Sequence, residues 1–255
     1  MEVSEVRSIL ETDRVWSAYA LADLFPPYLD QAEWRWQTNA VVLCYRGFSP
    51  PILFAHGDPE GVGVLLHDIP AGTYQYGLLA THRLLIQDRW RSLKETRMWR
   101  MVLPPGVRLP PPTDPVTPLV PADLPALEIL YDDASDPPDA FHPSQLDDGA
   151  FFGVWDGPRL IAVAGTHVVS VDAGVAAIGN VYTRADRRGR GLGRRTTAAV
   201  TAELRRRGLP TIVLNVALDN EPALRVYRAL GFMPFCGYYE GVADLGPART
   251  STKET

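Results

Sequence analysis

Along the first hundred residues the apolar positions follow two rhythms. Helical spacing covers residues 5–10 and 15–25, while short apolar or alternating runs at 40–45, 52–55, 74–78 and 98–103 predict strands. This is a small α+β pattern without a catalytic signature. Beyond residue 120 the rhythm is sharper. Residues 124–131 predict a helix. Residues 151–155 and 159–171 predict two strands joined at Asp156-Gly157, a pair suited to a hairpin turn, and 175–183 predicts a third strand after Asp172-Ala173-Gly174. A helix over 194–207 closes at Gly208 and Pro210, and a strand follows at 211–216. A second helix enters at Asn220-Glu221-Pro222 and stops at Gly231, so the order is β-β-β-α-β-α.

Six prolines between Leu103 and Pro115 leave room for neither a helix nor a central strand. They predict an extended, semi-stiff connector. The chain accordingly reads as a smaller α+β domain over 1–103, a linker over 104–119 and a second domain over 120–255.

Composition narrows the class. With 255 residues, 46% hydrophobic and 22% charged, the chain is long enough to bury a core and unlike collagen, coiled coil or long disorder. No apolar run reaches the roughly 18 to 20 residues that span a bilayer. The N-terminus Met-Glu-Val-Ser-Glu-Val-Arg is acidic where an export signal is basic, so a cytoplasmic location with no membrane partner is expected. Cys44 and Cys236 lie far apart and are expected to be small buried residues. His56, His67, His82, His142 and His167 form no cluster with metal-ligand spacing, so no metal is expected. The net charge of −5 gives no reason to expect nucleic acid as a partner.

One segment departs from the acidic background. From Arg184 to Gly208 there are nine arginines against Asp186 and Glu203. Within it, Arg188-Gly189-Arg190-Gly191-Leu192-Gly193 joins the third predicted strand to a helix. Glycines there let a ligand approach the backbone, and unpaired N–H groups at a helix N-terminus favour phosphate. A tight turn beside a solvated arginine face is the simpler alternative. A P-loop is excluded because no lysine occurs between Lys94 and Lys253. A dinucleotide fingerprint fits poorly, since the strands before the turn read as a meander.

Arg188-x-x-Gly191-x-Gly193, followed by Leu214-x-Val216-x-x-x-Asn220-x-x-Ala223-x-x-x-Tyr227-x-x-x-Gly231-Phe232, resembles the GNAT family of N-acetyltransferases over roughly 120–239. The resemblance implies a mixed-sheet acyltransferase fold in the second half, with the first 103 residues as a non-catalytic domain for which a degenerate copy of the same fold is a precedent. It implies acetyl-coenzyme A as cosubstrate. The pyrophosphate would lie on the backbone of Gly189, Arg190, Gly191, Leu192, Gly193 and Arg194, with Arg188 fixing the loop. The pantetheine arm would lie along Val181, Tyr182 and Thr183, where a N–H near Val181 polarises the thioester carbonyl. Asn220 would cap its helix and, with Ala223, contact the arm. Tyr227 would act as general acid toward the departing thiolate, half-buried core being its alternative reading.

Many members hold a glutamate on the third strand as base, whereas residues 176–182 contain no carboxylate. His167, on the neighbouring strand, is the candidate replacement, and Asn180 and Tyr182 are candidates for orienting substrate or water. The acidic stretch with Asp132, Asp133, Asp136, Asp139, Asp147 and Asp148 corresponds to the family's substrate side. It reads as a solvated loop or as a field for a cationic amine. The expected reaction is direct transfer to a primary amine of a small molecule or peptide, with a homodimer among the arrangements allowed. The competing class is a sensor that binds acyl-coenzyme A without turning it over.

Overall fold

The structure is a computed structural model that describes residues 3–109, 116–132 and 141–247. Asp133, Asp136 and Asp139 of the acidic stretch and the linker residues 110–115 lie outside the described residues. The chain divides into two compact units. Unit 1 comprises Met1–Trp99 and Cys236–Thr255, and unit 2 comprises Arg100–Phe235.

Unit 1 begins with the helices α1 (Val3–Leu10) and α2 (Ala18–Ala22), followed by strands β1 (Ala32–Gln37), β2 (Ala40–Tyr45) and β3 (Ile52–Gly57). It continues through α3 (Pro59–His67), β4 (Gly72–Leu78), α4 (Ala80–Leu84) and β5 (Trp90–Val102), which carries the chain into unit 2 at Arg100. In its sheet β1–β2 and β2–β3 are antiparallel, while β3 and β4 are parallel because α3 carries the chain back across the sheet. Val42, Leu53, Val62, Leu66 and Tyr76 are buried in the core so formed.

Unit 2 opens with the two-residue strand β6 (Thr117–Pro118), α5 (Leu124–Asp132) and α6 (Gln145–Asp148). The antiparallel strands β7 (Phe152–Asp156), β8 (Arg159–Ser170) and β9 (Val175–Thr183) follow, then α7 (Leu192–Arg206), β10 (Thr211–Ala217), α8 (Glu221–Ala229) and β11 (Met233–Leu245). β10 pairs in parallel with β9. Leu127, Leu130 and Tyr131 of α5 pack on Leu160, Val163 and Tyr182 of the sheet. Leu192 of α7 packs with Val154, Ile161 and Ala162. From the first helix onward, both units run α-α-β-β-β-α-β-α-β.

Several elements differ from the sequence expectation. β11 goes undetected because Pro234, Gly237 and Gly241 interrupt its alternation, and its residues from Cys236 onward complete unit 1 by antiparallel pairing with β4. The chain therefore passes between the units after Trp99 and again after Phe235, whereas the proline reading has one boundary. β1, with Trp34 buried and its neighbours half-buried, lacks a clean two-residue rhythm. α3 holds Gly61 and Gly63, poor helix formers that burial of Val62 and Leu66 overrides. Asp156 ends β7, so the hairpin loop is Gly157-Pro158. Cys44 is buried as expected, but Cys236 is only half-buried.

Candidate active site

In unit 2 the pairing of β9 with β10 spans only Val175–Ile178 against Thr211–Leu214. β9 continues to Thr183 and β10 to Ala217, so the strands cease to pair midway and leave backbone donors and acceptors along the opening. A bulge lies at the same level. On the β8 side Val163 faces Tyr182 and Gly165 faces Gly179, so Asn180 and Val181 together oppose Ala164. Asn180 takes a left-handed conformation (φ 54°), which Asn tolerates better than most residues.

Beyond Thr183 the chain makes a short 3-10 turn and enters α7 through Gly189 (φ 77°) and Gly191 (φ 74°). Both glycines need the left-handed region, and a Cβ at either would meet nothing within 4 Å, so their surface is open. Gly191 is the N-cap of α7 and provides no side-chain cap, which leaves the first N–H groups available for a ligand. Arg188 Nε donates to the Thr183 carbonyl at 3.2 Å and its guanidinium lies 5.8 Å from the centre of the Tyr182 ring, tying the loop to the strand end. Arg184 and Arg187 are paired with Asp186 and Asp156. Arg190 and Arg194 are exposed and form no ion pair among the described residues. This set fits a pyrophosphate: an open uncapped helix start, small residues at the approach, and two uncommitted cations.

α7 presents Leu192, Thr196, Thr197, Val200, Thr201 and Leu204 to the core. Two of its threonines accommodate burial by donating back one turn, Thr196 to Leu192 and Thr201 to Thr197. The arginines fall on the remaining face.

α8 begins where β10 leaves the opening. Asn220 caps it, accepting from the Ala223 N–H at 3.2 Å, and Pro222 occupies the first turn. Tyr227 is 7% exposed and its ring meets Phe232 edge-on at 6.3 Å. Burial pushes its pKa up to about 12. Among the described residues its hydroxyl takes no hydrogen-bond partner.

The other candidates lie around the bulge. Val181 and Thr183 are half-buried on β9, whereas the Tyr182 ring is committed to α5 through Tyr131, 6.4 Å between centroids. His167 is half-buried at a second register shift, on β8, and its ring occupies the space beside Gly179 that a side chain there would fill. Gln145, to which sequence reasoning assigns no role, joins this group from α6. Its Nε2 donates to the His167 carbonyl and its Oε1 accepts from Asn180. No spacing signal marks it, because the contact joins residues far apart in the chain. No group of three or more His, Cys, Asp and Glu suited to a metal occurs among the described residues, and no described helix is long and apolar enough to cross a membrane.

A parallel strand pair that opens midway and leads to an uncapped glycine turn is the arrangement that the resemblance to acyl-coenzyme A-dependent N-acyltransferases implies. Residues 121–232 match the acetyltransferase (GNAT) family, and this part of the chain is a GNAT acetyltransferase domain. Curated relatives named mycothiol acetyltransferase include those of Geodermatophilus obscurus, 41% identical over 94 residues (34% of this chain, 30% of that protein), and Rhodococcus jostii, 44% over 87 residues (33% and 28%). The matched stretches thus span less than a third of those proteins. The fold recurs in the solved GCN5-related N-acetyltransferase from Kribbella flavida (TM-score 0.62, 19% identity, 91% of this chain and 94% of that one). It recurs also in an acetyltransferase from the GNAT family from Colwellia psychrerythraea (TM-score 0.58, 12%, 96% and 97%).

Proposed function

We propose that the chain transfers an acetyl group from acetyl-coenzyme A to a primary amine by direct attack. The observation that carries this reading is the opening of β9 from β10 beyond Ile178 and Leu214, leading straight into the uncapped start of α7. An extended arm ending in a pyrophosphate matches that shape. The coenzyme supplies an activated thioester, and the rest falls to residues of this chain.

The N–H groups from Gly189 to Arg194 hold the pyrophosphate, aided by Arg188, Arg190 and Arg194. Val181 and Thr183 offer backbone groups to the arm, and the Val181 N–H polarises the thioester carbonyl. Asn220 and Ala223 line the arm from the start of α8. As the amine nitrogen bonds to the carbonyl carbon, the C–S bond breaks, and the sulfur leaves with the electron pair and takes the proton of Tyr227. The amine's own proton passes to water or to His167. With its pKa near 12, Tyr227 remains protonated at physiological pH and available as the acid.

The reading carries with it a cytoplasmic enzyme that uses no metal, with mycothiol-related amines the first acceptors to try. Its test is release of free thiol that depends on both acetyl-coenzyme A and an amine, together with calorimetric titration of Gly191→Asp. A carboxylate at the pyrophosphate approach should weaken coenzyme binding at least tenfold, about 1.4 kcal/mol. Equal affinity in both proteins would remove the glycine turn from the site.

A further inference from the structure

One buried acceptor at the bulge is left over after unit 2 has made its own hydrogen bonds. Asn180 is 3% exposed, and its Nδ2 donates to Gln145 Oε1 at 2.9 Å and to the Thr166 carbonyl at 3.3 Å. A carbonyl can only accept, so the amide cannot be turned the other way. Gln145 is held equally firmly, since its Nε2 donates to the His167 carbonyl at 3.1 Å and its Oε1 also accepts from the His142 N–H at 3.1 Å. The Asn180 backbone carbonyl receives the Tyr131 hydroxyl at 3.0 Å. Of the polar atoms in this group, Asn180 Oδ1 is the one buried with no partner among the described residues. Buried polar groups normally find one, and an oxygen of this kind calls for an N–H or O–H donor.

We propose that Asn180 Oδ1 accepts an N–H of the acceptor amine, and that Gln145 is the positioning residue that aims it. The proposal rests on the acetyl-transfer reading and deepens it by locating the amine. Asn180 directly precedes Val181, whose N–H that reading assigns to the thioester carbonyl, so adjacent residues of one bulge hold both partners of the new C–N bond. The choice of an amide suits the chemistry. A carboxylate would stabilise the ammonium ion, whereas a neutral oxygen holds a neutral amine by one N–H and leaves its lone pair free to attack.

The test uses the full chain, with cysteine amide, glucosamine and spermidine as probe amines. Asn180→Gly is the informative change, because glycine keeps the left-handed backbone while removing the acceptor. For whichever probe is turned over, Asn180→Gly should raise the amine KM about tenfold and leave the acetyl-coenzyme A affinity unchanged. Gln145→Ala should raise the same KM by a smaller factor, and it serves as the independent variant if Asn180→Gly does not fold. An unchanged amine KM in both variants overturns the proposal. So does a lowered melting temperature with intact kinetics, which would assign Oδ1 to a structural water. Wild-type protein that binds acetyl-coenzyme A yet turns over none of the three amines overturns it as well. Failure of the wild type to bind acetyl-coenzyme A would instead sink the acetyl-transfer reading beneath it.

Discussion

In unit 1 the third strand ends at Gly57, and the following helix is capped one residue later by Asp58, whose carboxylate accepts from the Gly61 N–H at 3.0 Å with Pro59 in the first turn. In unit 2 the third strand ends at Thr183, and residues 184–191 intervene before α7 starts without a side-chain cap. The same succession of elements thus leads once to a helix start capped by a carboxylate of the chain, and once to a start with no side-chain cap. The parallel strand pairs differ in the same sense. In unit 1 pairing of β3 with β4 ends at Phe54 and Gly77, and protein side chains fill the space beyond. Trp16 Nε1 donates to the Ala55 carbonyl at 3.1 Å, and its ring packs 5.2 Å from both Phe54 and Tyr238. His82 Nε2 donates to the Gly57 carbonyl at 3.1 Å. An opened strand pair keeps its backbone groups available only where the chain does not spend them on its own side chains.

The largest expected effect tests the filling of unit 1. Trp16 is 1% exposed, so Trp16→Ala should lower the unfolding free energy by about 3–5 kcal/mol, read from denaturant titration. Coenzyme stoichiometry in that variant should stay at one per chain. A second equivalent bound would show that the indole alone, and not the absence of a glycine turn, closes unit 1.

Next comes Tyr227 in unit 2. Tyr227→Phe keeps the ring against Phe232 and should leave coenzyme affinity unchanged while lowering kcat roughly 100-fold, about 2.7 kcal/mol. A stability change of about 1 kcal/mol with normal turnover would make Tyr227 a core residue only.

A smaller effect compares the two helix starts. Asp58→Ala removes the cap of α3 and should cost about 1 kcal/mol of stability with no change in coenzyme binding. Gly191→Asp should instead weaken the coenzyme at least tenfold, with a folding cost of about 1 kcal/mol for the left-handed backbone that Gly191 holds. Weaker coenzyme binding in Asp58→Ala, or unchanged binding in Gly191→Asp, would erase the distinction between the two helix starts.

The smallest effect is a pH slope arising in unit 1. Burial lowers the pKa of both His56 and His82, and a charge on His82 further disfavours the cation at His56. With folded values below the ordinary 6.5, the unfolded chain takes up protons first as pH falls. Stability should therefore be level above pH 6.5 and decline below it. Replacing both histidines by glutamine should flatten that decline in melting temperature, and an unaltered slope would assign it to other groups.

Much of unit 2 is legible in the chain because its signals are local. The arginine-flanked glycines, the Asn220 cap and the Gly231 stop each act within a few residues, and short apolar runs mark β7 to β10. Unit 1 is less so. Its third-strand exit carries no glycine turn, its α3 contains two glycines, and its edge strand β1 is only half-buried, so long-range burial outweighs local propensity there.

Sequence alone determined the class of the second half and the glycine turn that opens α7, because main-chain conformation at a turn depends on the residues in it. Tertiary structure decided what no spacing records. It passes β11 into unit 1, fills the unit 1 opening with Trp16, and leaves the Tyr227 hydroxyl without a hydrogen-bond partner among the described residues. It also sets Gln145 against Asn180. These outcomes depend on which distant side chains reach a backbone group or a buried polar atom first, and that competition is resolved only when the chain packs.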